Sequence, residues 1–245
     1  YIRAPPWSPH VLLPGGDPLI LETSYLERIL KELREIPHVN IIRIGSKVPA
    51  YNPFRILSDP HLSEVLSRYT TIEKRIYLMA HFNHPNELTT QSLQALEQLH
   101  RAGVIVVNQT PVLNEVNSSP ETFTTLFRNL SFSGVTPYYV FQCRPSLGNR
   151  LFQVPVEQSY HVIQQAWQAC SGLAKRARFV MSHATGKIEV VGRQAGCVFM
   201  RYHQAAEKAL IGKFMVMKSN PSAVWFDDYR EIPLETPVPR KGWLF

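Results

Sequence analysis

The sequence predicts an α/β fold of the barrel type, in which strands and helices alternate along the chain. Short apolar runs recur with helix-length segments between them, at a spacing of about 30 residues, as in the repeating βαβ unit. Each run ends in polar residues, and the carboxyl ends of barrel strands form the rim where ligands bind. The segments that carry these polar residues are 12–19, 43–46, 81–85, 108–109 and 142–143.

Each predicted element carries its own signal. The first strand covers residues 10–13 and ends at Pro14-Gly15-Gly16. The first helix covers residues 24–35, and its apolar positions repeat with the spacing of one helical face: Leu26, Ile29, Leu30 and Leu33. Further strands are predicted at residues 39–44, 75–80, 104–107 and 137–141. Further helices are predicted from Asp59-Pro60, over 89–102, from Ser119-Pro120 and over 156–170.

The last third of the chain departs from this pattern. Residues 178–181, 188–191 and 198–202 read as short strands wrapped around a loop, and several prolines after residue 210 predict an irregular C-terminal extension. We therefore divide the chain into a barrel core, residues 1–177, and a C-terminal part, residues 178–245.

Composition favours an ordinary globular protein with a substantial core. The chain has 245 residues, of which 44% are hydrophobic and 18% charged, and this balance argues against disorder. Because no apolar run reaches membrane-spanning length and the first residues lack a signal-peptide pattern, we expect a soluble cytoplasmic protein with no membrane contact. The net charge of +7 is spread along the chain, which favours small anionic ligands over nucleic acid.

The cysteines give no indication of a metal site. Cys143, Cys170 and Cys197 are too far apart in sequence for a local metal or redox motif. We therefore predict no metal ligand in this chain and expect the three thiols to be small buried hydrophobes.

Six runs of the sequence, in order, carry a resemblance to a known family. They are LLPGGDPLIL, ELREIPHVNIIRIGSKVP, HFNHPNELT, LHRAGVIVVNQTPVLNEVN, VTPYYVFQC and TGKIEVVG. Together they resemble the lysine 2,3-aminomutase family of radical S-adenosylmethionine enzymes, over roughly residues 10–192. The resemblance implies an aminomutase, an isomerase that moves an amino group between adjacent carbons of a small amino acid substrate.

The same resemblance implies the fold and the cofactors. The family uses an open (β/α)6 barrel, S-adenosylmethionine bound to a [4Fe-4S] cluster, and pyridoxal phosphate. Its cluster-binding Cys-x-x-x-Cys-x-x-Cys motif follows the first barrel strand and is absent here. We therefore expect a partial (β/α)6 barrel that lacks its first strand, leaves an edge exposed beside residues 10–13, and is inactive on its own.

The resemblance also implies a set of cofactor-binding residues. Gly15, Gly16 and Asp17 would receive the amino group of the methionine moiety, although a tight turn with a helix-proximal acid is the simpler alternative. His81 and Gln109 would contact S-adenosylmethionine through neutral hydrogen-bonding groups. A buried core histidine and a polar residue at the barrel rim remain the alternatives for these two.

Lys187 aligns with the lysine that forms the Schiff base to pyridoxal phosphate in this family. Such a lysine needs a desolvated pocket that lowers its pKa, so that the free amine can attack a carbonyl. Gly186 before it would allow a close approach. The alternative is a surface lysine on a hairpin, which is common in a chain with 26 basic residues.

Two positions depart from the lysine-specific members of the family. Those members carry an aspartate after the Gln-Cys pair and another before the pyridoxal lysine, and the pair holds the distal ammonium of the substrate. Here the two substrate-binding positions are Arg144 and Ser182. Because a guanidinium repels an ammonium and attracts a carboxylate, we expect a substrate other than lysine, with glutamate the first candidate.

Two other functions remain open at this stage. A non-catalytic barrel that has lost its iron-sulfur cluster would keep the nucleoside or pyridoxal pocket without radical chemistry. An unrelated phosphate-binding barrel enzyme would use the Gly15-Gly16 turn, but it would leave Lys187 and His81 unexplained. The sequence leaves open the substrate, the direction of reaction and whether the protein forms a homo-oligomer.

Overall fold

The computed structural model describes residues 9–13 and 16–233, which form one nine-stranded sheet with its strands in sequence order. The first six strands are parallel, and the last four form an antiparallel meander that shares β6 with them. The strands are β1 (His10–Leu13), β2 (Ile41–Ser46), β3 (Arg75–Ala80), β4 (Ile105–Val112), β5 (Thr136–Gln142), β6 (Arg178–His183), β7 (Gly186–Gln194), β8 (Cys197–Ala205) and β9 (Phe214–Lys218).

Helices connect the parallel strands. They are α1 (Thr23–Arg34), α2 (Val48–Tyr51), α3 (Phe54–Leu57), α4 (Pro60–Arg68), α5 (Thr90–Arg101), α6 (Pro120–Phe132) and α7 (Val156–Gln168). Local chemistry sets several of their starts. The side chain of Thr89 accepts a hydrogen bond from the Ser92 amide at the start of α5, and Ser119 caps α6 in the same way. Both are preferred N-cap residues.

The helices pack on one face of the sheet and bury its apolar side chains. One cluster of buried residues joins α1, α4 and α5 to the first strands, and a second joins α6 and α7 to the later strands. None of the helices within residues 9–13 and 16–233 has the length and apolarity needed to cross a bilayer.

The opposite face of the sheet, here called the cavity face, carries the polar side chains of interest. In the parallel pairing of β5 and β6, Tyr139 lies beside Arg178. In the antiparallel pairing of β6 and β7, Ser182 lies beside Lys187, and Val180 lies beside Glu189. Because paired residues project from the same face of a sheet, these residues share one surface with the side chains that line the cavity.

The predicted α/β fold with a parallel sheet is confirmed, but the described strands do not close into a barrel. Among the described residues β1 pairs only with β2, and β9 pairs with β8 and with one isolated bridge residue, Glu231. The sequence predicted five parallel strands plus one missing from the chain. The described part instead contains six, because β6 adds parallel to β5.

Two sequence predictions were wrong. The C-terminal extension is not irregular throughout, because residues 214–218 form β9 with alternating exposed and buried side chains. The prolines that follow residue 218 obscure this alternation in the sequence. β4 continues to Val112, beyond the predicted end at residue 107, so Gln109 lies within the strand and not after it.

Candidate functional site

A cavity of about 470 Å³ opens on the cavity face of the sheet. It lies toward the carboxyl ends of β1, β2 and β3 and against β4, β5 and β7. Five residues selected from the sequence line it together: Gly16, Asp17, His81, Gln109 and Lys187. Gly15 lies outside the described residues. Residues from separate parts of the sequence therefore meet in one place, as the strand-end pattern predicted.

Asp17 is held by backbone amides on two sides. One carboxylate oxygen accepts a hydrogen bond from the Leu19 amide at 3.0 Å, which caps a short 3-10 helix. The other accepts from the amides of Lys47 at 2.7 Å and Val48 at 3.2 Å, just after β2. The carboxylate thus joins the ends of two neighbouring strands. The simpler alternative, an acid beside a helix start, is part of its role.

His81 lies just after β3 and lines the cavity with its ring. Burial, followed by the nearby Lys47 ammonium, lowers the pKa of His81, while Glu87 opposes the shift. The imidazole is therefore neutral at neutral pH. Lys47 itself is fixed by Glu87 at 2.7 Å and by the His81 carbonyl at 3.1 Å, so its charge is already paired.

Two adjacent polar residues of β4 have different environments. Asn108 is buried, accepts a hydrogen bond from the Phe82 amide at 2.8 Å and donates one to the Phe82 carbonyl at 3.1 Å. Gln109 follows at a shift in the β4–β5 register and faces the cavity. Because bulges and register shifts often re-aim a side chain near a functional site, Gln109 is the one of the pair that is available to a ligand.

Lys187 extends from β7 into the cavity over two aromatic rings. Its Nζ lies 4.5 Å from the ring centre of Tyr139 and 5.7 Å from that of Phe141. Burial, followed by the positive charge of Arg43, lowers the pKa of Lys187. Among the described residues no carboxylate pairs with this amine. The alternative of a surface lysine on a hairpin does not describe these surroundings.

The residue before Lys187 has to be glycine. Gly186 has a φ of +145°, and a Cβ placed there would lie 2.2 Å from the backbone oxygen of Gln204 on β8. Because that neighbour is backbone, it cannot move aside without breaking the pairing of β7 with β8. The close contact fixes where β7 begins and therefore where Lys187 points.

Arg43 and Tyr139 are among the cavity residues that the sequence did not mark as candidates. Arg43 projects from β2, and its Nε is buried without a hydrogen-bond partner in the described part of the chain. Tyr139 forms the floor beneath Lys187, and its hydroxyl lies 2.8 Å from Nε2 of His203. Both occupy cavity-face positions on strands that the sequence did predict. Arg43 alternates with the buried residues Ile42 and Ile44, but this alternation marks a face of β2 and not a ligand-binding role, and Tyr139 is itself buried.

The two predicted substrate-binding residues are placed differently. Arg144 is exposed after β5, and neither it nor Ser182 lines the cavity. Ser182 is nevertheless the direct cross-strand neighbour of Lys187, and such neighbours have Cβ atoms about 4.5–5.5 Å apart. Among the described residues no three metal-ligating side chains come together.

Comparison with known proteins identifies relatives of the chain, although no family model matches it. A protein of Aquifex aeolicus, provisionally named L-lysine 2,3-aminomutase, is 52% identical over 96% of this chain and 63% of its own length. L-lysine 2,3-aminomutase of Fusobacterium nucleatum is 41% identical over 71% of this chain and 40% of its own length. Glutamate 2,3-aminomutase of Clostridioides difficile is 36% identical over the same shares.

Solved structures give weaker similarity. A domain of pyruvate-formate lyase-activating enzyme from Bacteroides vulgatus matches 69% of this chain and 97% of its own with a TM-score of 0.46 and 16% identity. A radical SAM methyltransferase from Sphaerobacter thermophilus matches 65% of this chain and 55% of its own with a TM-score of 0.40 and 14% identity. Neither score is high enough to add to the topology described above.

The sequence relatives are therefore the informative comparison. The chain spans between two fifths and two thirds of the length of the relatives named above. Identity of 52% across nearly the whole chain indicates shared ancestry, and not only a shared fold. Over the span that it matches, the chain belongs to the family of proteins named L-lysine 2,3-aminomutase.

Proposed function

We propose that the full-length protein is a radical S-adenosylmethionine aminomutase that depends on pyridoxal phosphate and moves an amino group between adjacent carbons of an amino acid. The observation that carries this proposal is the environment of Lys187. Its amine lies in the cavity over Tyr139, has a lowered pKa and lacks a carboxylate partner among the described residues. An amine of this kind can attack a carbonyl at neutral pH.

The cavity residues fit pyridoxal phosphate. When bound, this cofactor withdraws electrons from the carbon that carries the substrate's amino group. Lys187 would hold it covalently, and Arg43 has an unpartnered Nε that can donate to an anion such as a phosphate or a carboxylate. The rings of Tyr139 and Phe141 shield one side of the amine from water, and burial of the amine lowers its pKa.

The residues selected for S-adenosylmethionine also share this cavity. Asp17 offers a carboxylate to an ammonium, and His81 and Gln109 offer neutral donors and acceptors to a ribose or a base. No arrangement of three metal-ligating groups occurs among the described residues, and we therefore assign no residue here to the iron-sulfur cluster and derive no step through it.

The parallel strands support an open barrel as the complete fold. We propose that β1 to β5, within residues 1–177, form the core of a (β/α)6 barrel in the full-length protein, and that the C-terminal part, residues 178–245, adds β6 parallel to β5.

The electrostatics of the cavity favour a substrate without a distal positive charge. Of the described residues that line the cavity, only Asp17 is acidic, and we assign it to the ammonium of S-adenosylmethionine. On the same face, Glu189 is bound by Arg178 and by Arg201. A second ammonium on the substrate would therefore lack an unused carboxylate partner here. A neutral or acidic amino acid, with glutamate the first candidate, suits the site better than lysine.

Covalent trapping tests the proposal. The full-length protein is incubated with pyridoxal phosphate, reduced with borohydride, digested and mapped by mass spectrometry. We expect the reduced cofactor on Lys187 and none after Lys187→Arg. Lys47→Arg is the matched control, because Lys47 lines the same cavity but is paired with Glu87, and it should leave the label in place. A label on Lys47, or no label on the native protein, would refute the assignment.

A further inference from the structure

The turn that precedes Lys187 is not specified by its own residues. β6 and β7 are joined by Ala184 and Thr185 alone, between the paired residues His183 and Gly186. Two-residue hairpins favour turns in which at least one central residue has a positive φ, usually glycine or asparagine. Neither Ala184 nor Thr185 has a positive φ. The conformation of this turn must therefore be fixed by contacts from outside it.

His183 supplies those contacts with both ring nitrogens. Its Nδ1 accepts a hydrogen bond from the Thr185 amide at 3.2 Å and lies 2.8 Å from the Thr185 hydroxyl. Because a backbone amide can only donate, Nδ1 is the unprotonated nitrogen, and the proton of the neutral ring is on Nε2. Nε2 then donates to Asp227, whose carboxylate oxygens lie at 3.1 and 3.2 Å.

The hydrogen bonds of the turn continue to β8. The Thr185 hydroxyl, which donates to Nδ1 of His183, can accept from the hydroxyl of Tyr202 at 2.9 Å. The ring of Phe226 packs beside His183, with 5.2 Å between the ring centres. The donor and acceptor roles along this chain of contacts, from Tyr202 to Asp227, are therefore consistent with one another.

Asp227 lies in a segment that is hydrogen-bonded to the start of α7. Residues 219–229, here called the C-terminal segment, begin at the buried carboxylate of Glu157, which accepts from the Ser219 hydroxyl at 3.0 Å and the Asn220 amide at 2.7 Å. Further along, the Val156 amide donates to the Ala223 carbonyl at 2.8 Å. These bonds tie the segment to the start of α7 and hold Asp227 against the hairpin.

We propose that Asp227 and His183 are positioning residues for Lys187: the C-terminal segment fixes the β6–β7 turn through this pair, and the turn aims the lysine amine into the cavity. Only the chemical use of that amine rests on the proposed function. The geometry applies whether or not a cofactor binds there, so the two ideas can fail separately.

A looser β6–β7 turn should change the pKa of Lys187 in a defined direction. If the turn loosens, the amine can leave the ring of Tyr139 for solvent, and its pKa should rise toward the ordinary lysine value of about 10.4. Removal of the Asp227 negative charge alone would act in the opposite direction, because loss of a nearby anion lowers the pKa of an ammonium. The direction of the change therefore separates positioning from simple electrostatics.

The experiment measures the titration of Lys187 in the full-length protein without added cofactor. An amine-acylating reagent is applied briefly at a series of pH values, and the labelling of Lys187 is compared by mass spectrometry with that of Lys31, an exposed lysine on α1. We expect Asp227→Ala to raise the apparent pKa of Lys187, so that less free amine reacts at neutral pH. Asp227→Asn, which keeps an oxygen acceptor, should stay closer to the native value.

Two controls decide the outcome. Glu207→Ala removes an exposed carboxylate that makes no side-chain cap, and it should leave the Lys187 titration unchanged. His183→Ala combined with Asp227→Ala should shift the pKa no further than either change alone, since both break one contact. An unchanged or lowered pKa in Asp227→Ala, or additive shifts in the double variant, would overturn the proposal. If Asp227→Ala does not fold, Asp227→Ser is judged by the same criteria.

Discussion

Replacement of Asp17 by alanine is expected to destabilise the folded protein itself, in addition to any effect on a ligand. The side chain connects the end of β1 with the start of α2, because its oxygens accept hydrogen bonds from the amides of Leu19, Lys47 and Val48. All three contacts involve backbone groups whose positions are set by the strands. The alanine variant removes both carboxylate oxygens of residue 17 while leaving the backbone unchanged.

The size of this destabilisation follows from the hydrogen bond that each amide would lose. Loss of the cap at Leu19 should cost about 1 kcal/mol. Lys47 would lose the acceptor of its amide, and an unsatisfied donor that is shielded from water costs about 1–3 kcal/mol. Val48 would keep a partner, because the Ser46 hydroxyl oxygen lies 3.0 Å from its amide. The expected loss in free energy of unfolding is therefore about 2–4 kcal/mol.

Urea unfolding of the full-length protein measures this loss as a lower midpoint with an unchanged slope. Thr89→Ala is the matched control. Thr89 caps α5 through the Ser92 amide at 3.1 Å and does not line the cavity, so its removal should cost about 1 kcal/mol. A loss below about 0.5 kcal/mol for Asp17→Ala, the range of ordinary surface changes, would show that the amides do not depend on this carboxylate.

Two further predictions concern Lys187 and Arg144. Because burial lowers the pKa of Lys187, the unfolded state binds the proton more tightly, and Lys187→Met should raise the free energy of unfolding at neutral pH. That gain in free energy should fall as the pH rises from the lowered pKa toward about 10.4, and it should vanish above that pH. Urea titrations at a series of pH values measure the gain. A gain that does not change with pH would contradict the lowered pKa. In a competition assay among amino acids, the complete enzyme should prefer glutamate to lysine, because the described cavity residues offer no unused carboxylate to a second ammonium. Arg144 is exposed and does not line the cavity, so Arg144→Asp should leave this preference unchanged. Best turnover of lysine by the native enzyme would contradict the substrate assignment, and a lost preference in Arg144→Asp would show that Arg144 reaches the substrate.

The sequence predicted the parallel part of the fold well because each element there is specified locally. β3 was predicted with its observed bounds, Arg75–Ala80, since a mostly apolar run at residues 76–80 is flanked by polar segments. α5 was within one residue at each end, because Thr89 caps its start and Gly103, at a φ of +79°, follows its end. Apolar periodicity and capping residues carry this information over a few neighbours.

The sequence predicted the meander less well because its pairing is not local. β9 has only five residues. Its two buried side chains, which face the helices, are Met215 and Met217. Their burial depends on the antiparallel pairing with β8, which no short window of sequence specifies. The predicted end of β4 is too early for a related reason. Polar residues such as Gln109 indicate the end of a strand in the sequence, unless it is known that they face a cavity.

The candidate site divides in the same way. Asp17, His81, Gln109 and Lys187 follow or occupy strand ends that a motif could mark. Arg43 and Tyr139 have no motif of their own, and they become visible only when parallel register brings β2 and β5 around one cavity. His183 and Asp227 are separated by 44 residues, so their contact could be found only from the folded chain.

Asp17 shows that a structural role and a ligand-binding role can belong to the same side chain. An ionised carboxylate has about four acceptor positions, and three of them are used by the amides of Leu19, Lys47 and Val48. One position remains for a donor in the cavity. Because the amides hold the carboxylate in place, an ammonium that binds there need not order a mobile side chain first, and that entropy cost is avoided. The contacts that make Asp17 necessary for stability are therefore the same contacts that would make it an effective ligand.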